Sequence, residues 1–287
     1  PTLNRLEALV LDSNHISDPG ALDIASSKHL GNLVQLYMHD NKIGHAGETA
    51  LRAMRSRNLL DKKRNDNNLN LNEQRLDNKD IASLAQYEKL DGIVSLSLRN
   101  NHFDYHGVQE LANSPYLKNL TSLNLMSSAV KDKGLILLAE SPSLSQLEIL
   151  NLENTGITSL GILALSQSPH ISQLKELNLS NNNLGKKGFR ILAESKNFKN
   201  LVKLRISGVS IGDAGFQTIV QSNTLNQLEE LEIMGNAISR KSLDSLLDSK
   251  LFSHLKKLDL RRNTLRDVDL IFLADSPKFQ ILEALRF

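Results

Sequence analysis

The sequence has no cysteine. This absence excludes disulfide bonds, cysteine-ligated zinc and thiolate catalysis. It fits a reducing compartment, and we expect a cytoplasmic location. No run approaches the roughly 18–20 apolar residues that a membrane-spanning helix needs, so we expect no membrane contact. The N-terminus has no basic segment followed by an apolar stretch, and a cleavable secretory signal is not expected.

An excess of charge and the common enzyme motifs are also missing. The net charge of +2 provides no global field that would draw the chain to nucleic acid or to an anionic membrane. None of the motifs G-x-x-x-x-G-K, H-E-x-x-H and G-x-S-x-G occurs in the sequence, although each would indicate a definite chemistry. We therefore expect no catalytic residue, no cofactor and no small-molecule substrate.

What the sequence does contain is one pattern, repeated along its length. The segment Leu174–Leu184 reads LKELNLSNNNL, with leucine at four fixed places and Asn182 between the last two. The Asn position recurs at 14, 41, 74, 101, 128, 155, 182, 209, 236 and 263, and a half copy, Leu282–Phe287, ends the chain. The difference between successive position numbers is 27, except for one gap of 33. This period predicts a solenoid of stacked units.

Each unit is predicted to form a short strand, a turn and a helix. Alternate strand residues point in and out, capping residues such as Asp104 and Thr158 begin the helix, and Gly107 allows it close to its neighbour. The predicted fold is an α/β solenoid of about eleven repeats, with a parallel concave sheet and convex helices. It forms a single domain over residues 1–287, with ends that we expect to be truncated or uncapped. Serine–proline steps predict helix ends at Ser114–Pro115, Ser141–Pro142, Ser168–Pro169 and Ser276–Pro277.

Two features interrupt this regularity. Gln74, Ser128 and Thr155 replace the usual asparagine and can form part of its hydrogen bonds, whereas Val209 cannot, so we expect its turn to be rebuilt or water-bridged. The gap of 33 places an insertion near residues 58–67. It is either a longer, solvated loop on the outer face or a basic docking patch, and without interleaved aromatic residues it is weak evidence for nucleic-acid binding. The basic residues in and before the insertion are Arg52, Arg55, Arg57, Lys62, Lys63 and Arg64.

The outward strand positions and the turns after them form the candidate binding surface, because substitutions there spare the core. Eleven strands at about 4.8 Å spacing would make a sheet roughly 50 Å long, which is enough for a standard protein interface. Tyr37 is the best single anchor, since tyrosine is common at interface hot spots. The alternative is a solvated sheet on which Glu232 and Asp259 pair with Arg205 and Arg286. The candidate residues are Tyr37, His39, Asp40, Arg99, Met126, Glu153, Arg205, Glu232, Met234, Asp259, Arg261, Arg262 and Arg286.

A weaker candidate is the rim of turns in the early repeats, where histidine and aromatic residues gather. These residues form either a contact patch or a set of ordinary solvated turn side chains. A metal site is not expected, because equivalent positions such as His15 and His102 lie three repeats apart, or roughly 15 Å, which is too far for zinc ligands. The rim candidates are His45, His102, Tyr105 and His106.

The helix-bearing unit, with its period of 27 and its G-x-x-x-L-A segment, resembles the ribonuclease-inhibitor-like branch of the leucine-rich repeats over nearly the whole chain. The segment Leu138–Ile157, LAESPSLSQLEILNLENTGI, is similar to repeats in effector proteins that intracellular bacterial pathogens deliver into host cells. The resemblance implies a leucine-rich-repeat solenoid that binds proteins. The inhibitor that gives the branch its name blocks an enzyme by covering the active site. This chain lacks that branch's abundant cysteines, so redox-linked inactivation does not carry over.

From this resemblance we expect a non-enzymatic protein, monomeric by itself, that binds one protein partner. If the partner is an enzyme, the resemblance implies inhibition by occlusion, and nucleic acid is not an expected partner. The alternative is an adaptor that brings a host protein to other machinery, for example to ubiquitin machinery, and an adaptor needs a second docking surface. If the chain is an effector, we expect delivery into the host cell without a cleavable Sec signal.

Overall fold

The repeated unit folds as the sequence predicts. The computed structural model describes residues 3–269, 271 and 281–287, so the Ser276–Pro277 step lies outside the described residues. Each unit contributes one three-residue strand. Where the strands of neighbouring units pair, they run parallel and place equivalent positions opposite each other. Leu96 therefore lies opposite Leu123, and Leu150 lies opposite Leu177. The predicted α/β solenoid is confirmed.

Twelve strands lie within the described residues. Eleven follow the repeat, and β3 is a two-residue addition that pairs antiparallel with β4. The strands are β1 (Ala8–Val10), β2 (Gln35–Tyr37), β3 (Arg64–Asn65), β4 (Asn68–Asn70), β5 (Ser95–Ser97), β6 (Ser122–Asn124), β7 (Ile149–Asn151), β8 (Glu176–Asn178), β9 (Lys203–Arg205), β10 (Glu230–Glu232), β11 (Lys257–Asp259) and β12 (Ala284–Arg286).

A helix follows most of the strands, and neighbouring helices pack side by side along the solenoid. None of the described helices is long and apolar enough to cross a lipid bilayer. The helices are α1 (Asp18–Ser26), α2 (His45–Lys63), α3 (Asn78–Ala85), α4 (Tyr105–Ala112), α5 (Lys131–Ala139), α6 (Ser159–Ser166), α7 (Gly185–Glu194), α8 (Gly212–Val220) and α9 (Arg240–Leu247). Short 3₁₀ helices occur at Leu3–Arg5, Glu88–Leu90, Pro142–Leu144, Lys196–Phe198 and Leu251–His254.

The concave sheet is interrupted once, between β2 and β4. Strands β1 and β2 form a two-stranded sheet of their own, and β3 to β12 form a second sheet of ten strands. The expectation of one continuous sheet of eleven strands is therefore wrong at this point. The strand β3 lies at the edge of β4, where the strand of the preceding repeat would otherwise pair.

The insertion causes this break, and it is not the solvated outer loop that the sequence suggested. Residues 58–63 continue helix α2, which is 19 residues long. Asn58 and the next two residues, Leu59 and Leu60, are buried. Asn58 Nδ2 donates to Leu30 O and Leu33 O, at 2.8 Å each, while the two leucines join the core beneath β4. From Glu48 to Lys63 the sequence has neither glycine nor proline, so neither of these helix-breaking residues interrupts α2.

The Asn position joins each repeat to the one before it. Asn182 Nδ2 donates to Leu152 O of the preceding repeat (2.7 Å), and Asn182 Oδ1 accepts from the Ile157 amide (2.9 Å). Gln74 Nε2 instead donates to Asn72 O of its own repeat, the unit of β4 and α3 (repeat 3). Among the described residues, its side chain makes no hydrogen bond to the preceding unit of β2 and α2 (repeat 2). The ladder of asparagine hydrogen bonds between repeats is thus interrupted at the same place as the sheet, between β2 and β4. Equivalent inter-repeat bonds are made by Asn41, Asn101, Asn236 and Asn263.

The turn at Val209 is not rebuilt. Gly208 and Ser210 on either side have φ values of 63° and 55°, close to the 66° and 55° of Gly235 and Ala237 in the next repeat. The valine side chain packs into the core, and its amide donates to Asn236 Oδ1 of the next repeat (3.0 Å). The missing side-chain bonds are therefore offset in part by apolar burial.

Two further ladders of hydrogen bonds join the repeats on the helical side. In the first, Asp132 lies in the first turn of α5, and its Oδ1 accepts from the amides of Thr158 (2.8 Å) and Gly161 (3.0 Å) in the next repeat. In the second, a serine after each helix from α4 to α8 donates to a carbonyl 29 residues earlier, as Ser141 does to Ala112 O. The serines that do this are Ser114, Ser141, Ser168, Ser195 and Ser222.

Candidate functional site

The concave face is the set of outward side chains on β4 to β12. The inward leucine of each of these strands from β4 to β11 is 0–1% exposed, whereas the outward residues on either side of it range from buried to exposed. Near the middle of the sheet the outward row is neutral. Asn124, Asn151 and Asn178 each accept a hydrogen bond from the amide two residues later. These bonds fix the amide side chains, and so this part of the face is rigid before any partner binds.

Charged side chains dominate the concave face from β8 onward. Glu230 lies between Lys203 and Lys257 and pairs with both; the Lys257 Nζ to Glu230 Oε1 distance is 2.5 Å. The hydrogen bonds from Lys203 and Lys257 lower the pKa of Glu230 to about 2. The carboxylate is therefore ionised throughout the physiological range.

Opposite charges also pair at the last residues of β9 to β12 and in the turn that follows β11. Arg205 Nε donates to Glu232 Oε1 (2.9 Å), and Asp259 pairs with Arg261 (2.6 Å) and with Arg286 (3.9 Å). Burial by itself would raise the pKa of Asp259, but the hydrogen bonds and charges of Arg261 and Arg286 outweigh it, and the pKa lies below its ordinary value. The cross-strand pairing that the sequence suggested for Glu232 and Asp259 is present.

The sequence reasoning overlooked the outward row at the beginning of the strands. Each residue of this row lies two positions before a residue of the outward row chosen from the sequence, and it shares the same face because strand side chains alternate. The overlooked residues are Glu176, Lys203, Glu230 and Lys257. The signal was available, since these equivalent positions of successive repeats carry charges of alternating sign.

The early candidates Tyr37, His39 and Asp40 lie at the break between the sheets. They line a cleft of about 690 Å³ together with residues of α2 and of the turn that follows β4. Tyr37 is half-buried, and His39 and Asp40 are exposed. The other lining residues are Val34, Gln35, Leu36, Met38, Asn41, Ile43, Glu48, Leu51, Arg52, Arg55, Glu73, Gln74, Arg75, Asp77 and Asp80.

A charged cluster, which the sequence did not reveal, forms the wall of this cleft. Asp80 is buried and accepts from Arg52 (2.8 Å) and Arg55 (2.6 Å), both on α2. Arg55 also donates to Val34 O (3.1 Å) and to Gln74 O (2.6 Å), which belong to the two sides of the break. The Arg55 guanidinium thus fixes the separation of the two sheets. No sequence periodicity marks these residues.

The remaining concave candidates are spread along the face and do not form one cluster. Arg99 pairs with Glu73 (2.9 Å) on the neighbouring turn. Glu153 accepts hydrogen bonds from the side chains of Asn178 and Asn181, at 3.0 Å each. The others lie apart from these pairs: Met126 and Met234 are half-buried, and Arg262 is exposed in a turn with a φ of 57°.

The rim candidates divide into separate places. Tyr105 and His106 are in contact, with ring centroids 4.0 Å apart, and Lys133 Nζ lies 4.9 Å from the Tyr105 ring centre. His45 lies two repeats earlier, in a groove between α1, α2 and α3, and His102 is exposed. In the part of the chain that the structure describes, no three His, Asp or Glu side chains lie close enough together to hold a metal ion.

Comparison with known proteins supports the repeat. A family model described as Leucine Rich repeat matches residues 3–25, 116–139, 170–190 and 253–274, and no curated protein matches significantly. A solved internalin (inlF) from Listeria monocytogenes is 17% identical with a TM-score of 0.51, covering 99% of this chain and 88% of that chain. InlP from the same organism is 14% identical with a TM-score of 0.41, covering 66% of this chain and 46% of that chain.

At 17% identity, the likeness to the internalin (inlF) structure is one of fold alone. The fold nevertheless agrees with the regular spacing of the pattern, with the parallel strands and with the asparagine ladder. Together, the matched segments and the shared fold identify this chain as a leucine-rich-repeat solenoid.

Proposed function

We propose that the protein is a non-enzymatic binding module that holds one protein partner on its concave face and on the turns that follow the strands. The observation that carries this proposal is the outward row of nine consecutive parallel strands, whose side chains the buried core does not need. A surface of this kind can change its side chains to suit a partner without losing the fold.

The dimensions of the sheet indicate how much of the surface a partner uses. Nine strands at about 4.8 Å spacing span about 38 Å, and three residues per strand give a width of about 10 Å. The strands alone therefore offer about 400 Å², half of the roughly 800 Å² per partner in a standard interface. A partner of ordinary affinity must also cover the turns, where Arg99, Met126, Glu153 and Arg261 lie.

The charged part of the face makes binding selective for one partner more than it raises the affinity for that partner. Glu230, Glu232 and Asp259 already pair with neighbouring basic residues. A partner that covers them must either preserve these pairs or replace them, since an unpaired buried charge is costly. The neutral part around Asn124 and Met126 carries no such cost and is the better place for the central contact.

Within this proposal we favour inhibition of a partner enzyme by occlusion, because a long concave face covers a convex partner surface. The proposed effector role rests on the similarity of Leu138–Ile157 to repeats of effectors from intracellular bacteria. An adaptor role has weaker support, because the insertion that was to provide the second docking surface is largely part of the fold. Lys62 pairs with Glu7 (2.5 Å), and the Arg64 guanidinium donates to two backbone carbonyls.

Affinity capture with matched variants tests the proposal. The concave variant carries Arg99→Ala, Met126→Ala and Arg261→Ala. The control variant carries changes of similar size on the exposed side of α7, at Lys186→Ala, Lys187→Ala and Arg190→Ala. We expect one protein to be retained by the wild type and by the α7 control but not by the concave variant. Equal retention by all three proteins would contradict binding through the concave side, which here means the concave face together with the turns that follow its strands.

Turnover of the purified partner then tests inhibition. If the partner is an enzyme, the saturated complex should have no activity, and the concave variant should leave the activity unchanged at the same concentration. An unchanged turnover in the saturated wild-type complex would remove the inhibitor proposal, while binding would still stand. Simultaneous binding of a second protein would support the adaptor alternative.

A further inference from the structure

The break between the two sheets exposes a strand edge inside the solenoid. Strand β2 pairs with β1 on one side only. The equivalent edge of β4 is occupied by β3, through the pairs Arg64–Leu69 and Asn65–Asn68. The two sheets cannot therefore join by direct pairing of β2 with β4. The cleft of about 690 Å³ lies between them, and all three residues of β2 line it.

The free edge of β2 carries backbone groups that point into this cleft. The carbonyls of Tyr37 and His39 accept from the amides of Leu11 and Ser13, which follow β1, so the backbone groups of the odd-numbered residues face the first repeat. Alternate residues of a strand direct their backbone groups to opposite edges, and the amides of Leu36, Met38 and Asp40 therefore face the cleft. These three amides have no hydrogen-bond partner among the described residues.

The same positions are paired in the later repeats. The amides of Leu71, Leu98 and Asn100 donate to Ser97 O, Asn124 O and Met126 O of the following repeat, at 2.8–2.9 Å. Repeat 2 thus has the donors of an ordinary unit and lacks the strand that would accept from them.

The side chains of repeat 2 indicate the same missing neighbour. Leu36, Met38 and Ile43 occupy apolar positions of the pattern but are partly exposed. Their counterparts in repeat 3 (Leu69, Leu71 and Leu76) are 0–2% exposed. An extended segment with apolar residues at alternate positions would cover the exposed side chains of repeat 2 and pair with its backbone at the same time.

The wall of the cleft is held in place before any segment enters. Arg55 donates to Val34 O on one side and to Gln74 O on the other, and its guanidinium is fixed by the buried Asp80. Arg52 pairs with Asp80 and with Asp77, at 2.8 Å each. A preformed opening of this kind reduces the cost of ordering on binding.

We propose that this cleft binds an extended segment of a partner polypeptide, with apolar residues at alternate positions, which adds as a strand to the free edge of β2. The proposal deepens the proposed function, since it rests on polypeptide binding and specifies a mode of recognition. The segment accepts hydrogen bonds from the amides of Leu36, Met38 and Asp40, donates to Leu36 O, and places its apolar side chains over Leu36 and Met38.

The test uses the full chain labelled with ¹⁵N and a synthetic peptide with the sequence of residues 175–183, KELNLSNNN, which has leucine at alternate positions. Amide hydrogen exchange is measured with and without the peptide at about 1 mM, a concentration suited to weak binding. We expect exchange at Leu36, Met38 and Asp40 to be fast in the free protein and to slow at least threefold with peptide. Exchange at Leu98 and Asn100, which are already paired, should not change.

Two substitutions separate backbone pairing from side-chain contact. Met38→Pro removes a cleft-facing donor and keeps the β1 pairing, because proline is tolerated at a strand edge. Met38→Ala shortens the same side chain and keeps the amide. We expect Met38→Pro to weaken peptide binding about three- to tenfold more than Met38→Ala, since one hydrogen bond is lost. A urea unfolding midpoint close to that of Met38→Ala checks that Met38→Pro folds.

Several results would overturn the proposal. It fails if the three amides gain no protection, if Met38→Pro and Met38→Ala weaken binding equally, or if a peptide with Asn178→Pro binds as well as the original peptide. It also fails if light scattering shows a dimer of this chain in which the same amides become protected, because the occupant is then a second copy. If the captured partner binds the concave variant but not Met38→Pro, the concave-face proposal alone is contradicted. If the partner binds Met38→Pro but not the concave variant, the cleft proposal alone is contradicted.

Discussion

Alanine at Asn182 and at Gln74 should have very different costs, although both residues occupy the same position of the repeat. Asn182 Oδ1 is the acceptor for the buried amides of Thr155 (3.2 Å) and Ile157 (2.9 Å) of the preceding repeat. Asn182→Ala leaves both amides without that acceptor. At about 1–3 kcal/mol for each unsatisfied buried group, and with some relaxation, we expect a loss of about 2–4 kcal/mol in the free energy of unfolding.

Gln74 provides the matched control. Its side chain donates to Asn72 O within its own repeat and does not join repeat 3 to repeat 2. Gln74→Ala should therefore cost about 1 kcal/mol or less. Gln74→Asn, which restores the consensus residue, should change stability by less than about 0.5 kcal/mol, because β3 and the cleft separate this turn from repeat 2.

Urea unfolding followed by far-ultraviolet circular dichroism measures all three variants. The slope of the free energy against urea must be compared first, because a changed slope would show that the repeats no longer unfold together. Equal losses for Asn182→Ala and Gln74→Ala would refute the interrupted ladder. A gain of more than about 1 kcal/mol for Gln74→Asn would do the same, since it would mean that the bonds between repeats 2 and 3 can form.

Four other substitutions test the electrostatics and the packing. Glu230→Gln should cost about 1–2 kcal/mol at pH 7. The shift of the pKa from 4.5 to about 2 corresponds to an upper bound of about 3.4 kcal/mol, and solvent screening reduces it. Because the pKa of Glu230 is lower in the folded state, this stability is present above pH 4.5 and is lost as the pH falls towards 2. The free energy of unfolding of the variant in urea should therefore lack this part of the decrease that the wild type shows between pH 4.5 and 2. Leu59→Ala, in the extension of α2, should cost about 2–4 kcal/mol in the same assay, and a cost below about 1 kcal/mol would contradict its burial. Gly47→Ala should cost about 1–3 kcal/mol, since a Cβ there would lie 2.6 Å from Asp18 Oδ1, whereas Gly31→Ala, which meets nothing within 4 Å, should be neutral by thermal unfolding.

The regular part of the fold could be predicted from the sequence because it depends on local spacing. The leucines of LKELNLSNNNL alternate with polar residues, which fixes the inward face of a strand. The constant interval between repeats places Leu150 opposite Leu177 without any further information. The outward positions of the concave face followed from the same alternation, and so did the cross-strand pairs of Glu232 and Asp259.

The long-range part of the candidate site could not be predicted in the same way. Asp80 and Arg55 are 25 residues apart and belong to different repeats, and nothing in their spacing indicates that they meet. The single longer gap, between Asn41 and Gln74, showed that the period was disturbed, but it did not show whether the extra residues form a loop or a helix. The absence of glycine and proline from Glu48 to Lys63 agrees with the long helix, but the same absence continues through β3 and β4 and does not mark where the helix ends.

The sequence by itself determined the repeating unit, because each copy of the pattern carries its own strand, turn and helix signals and needs only a similar neighbour to bury them. Only the tertiary structure decided where that stacking stops. The extension of α2 packs against repeats 2 and 3 through Asn58 and the buried leucines, and β3, which follows it, occupies the edge of β4 at which β2 would pair. The free edge of β2 therefore results from packing between distant segments, which a local sequence pattern does not indicate.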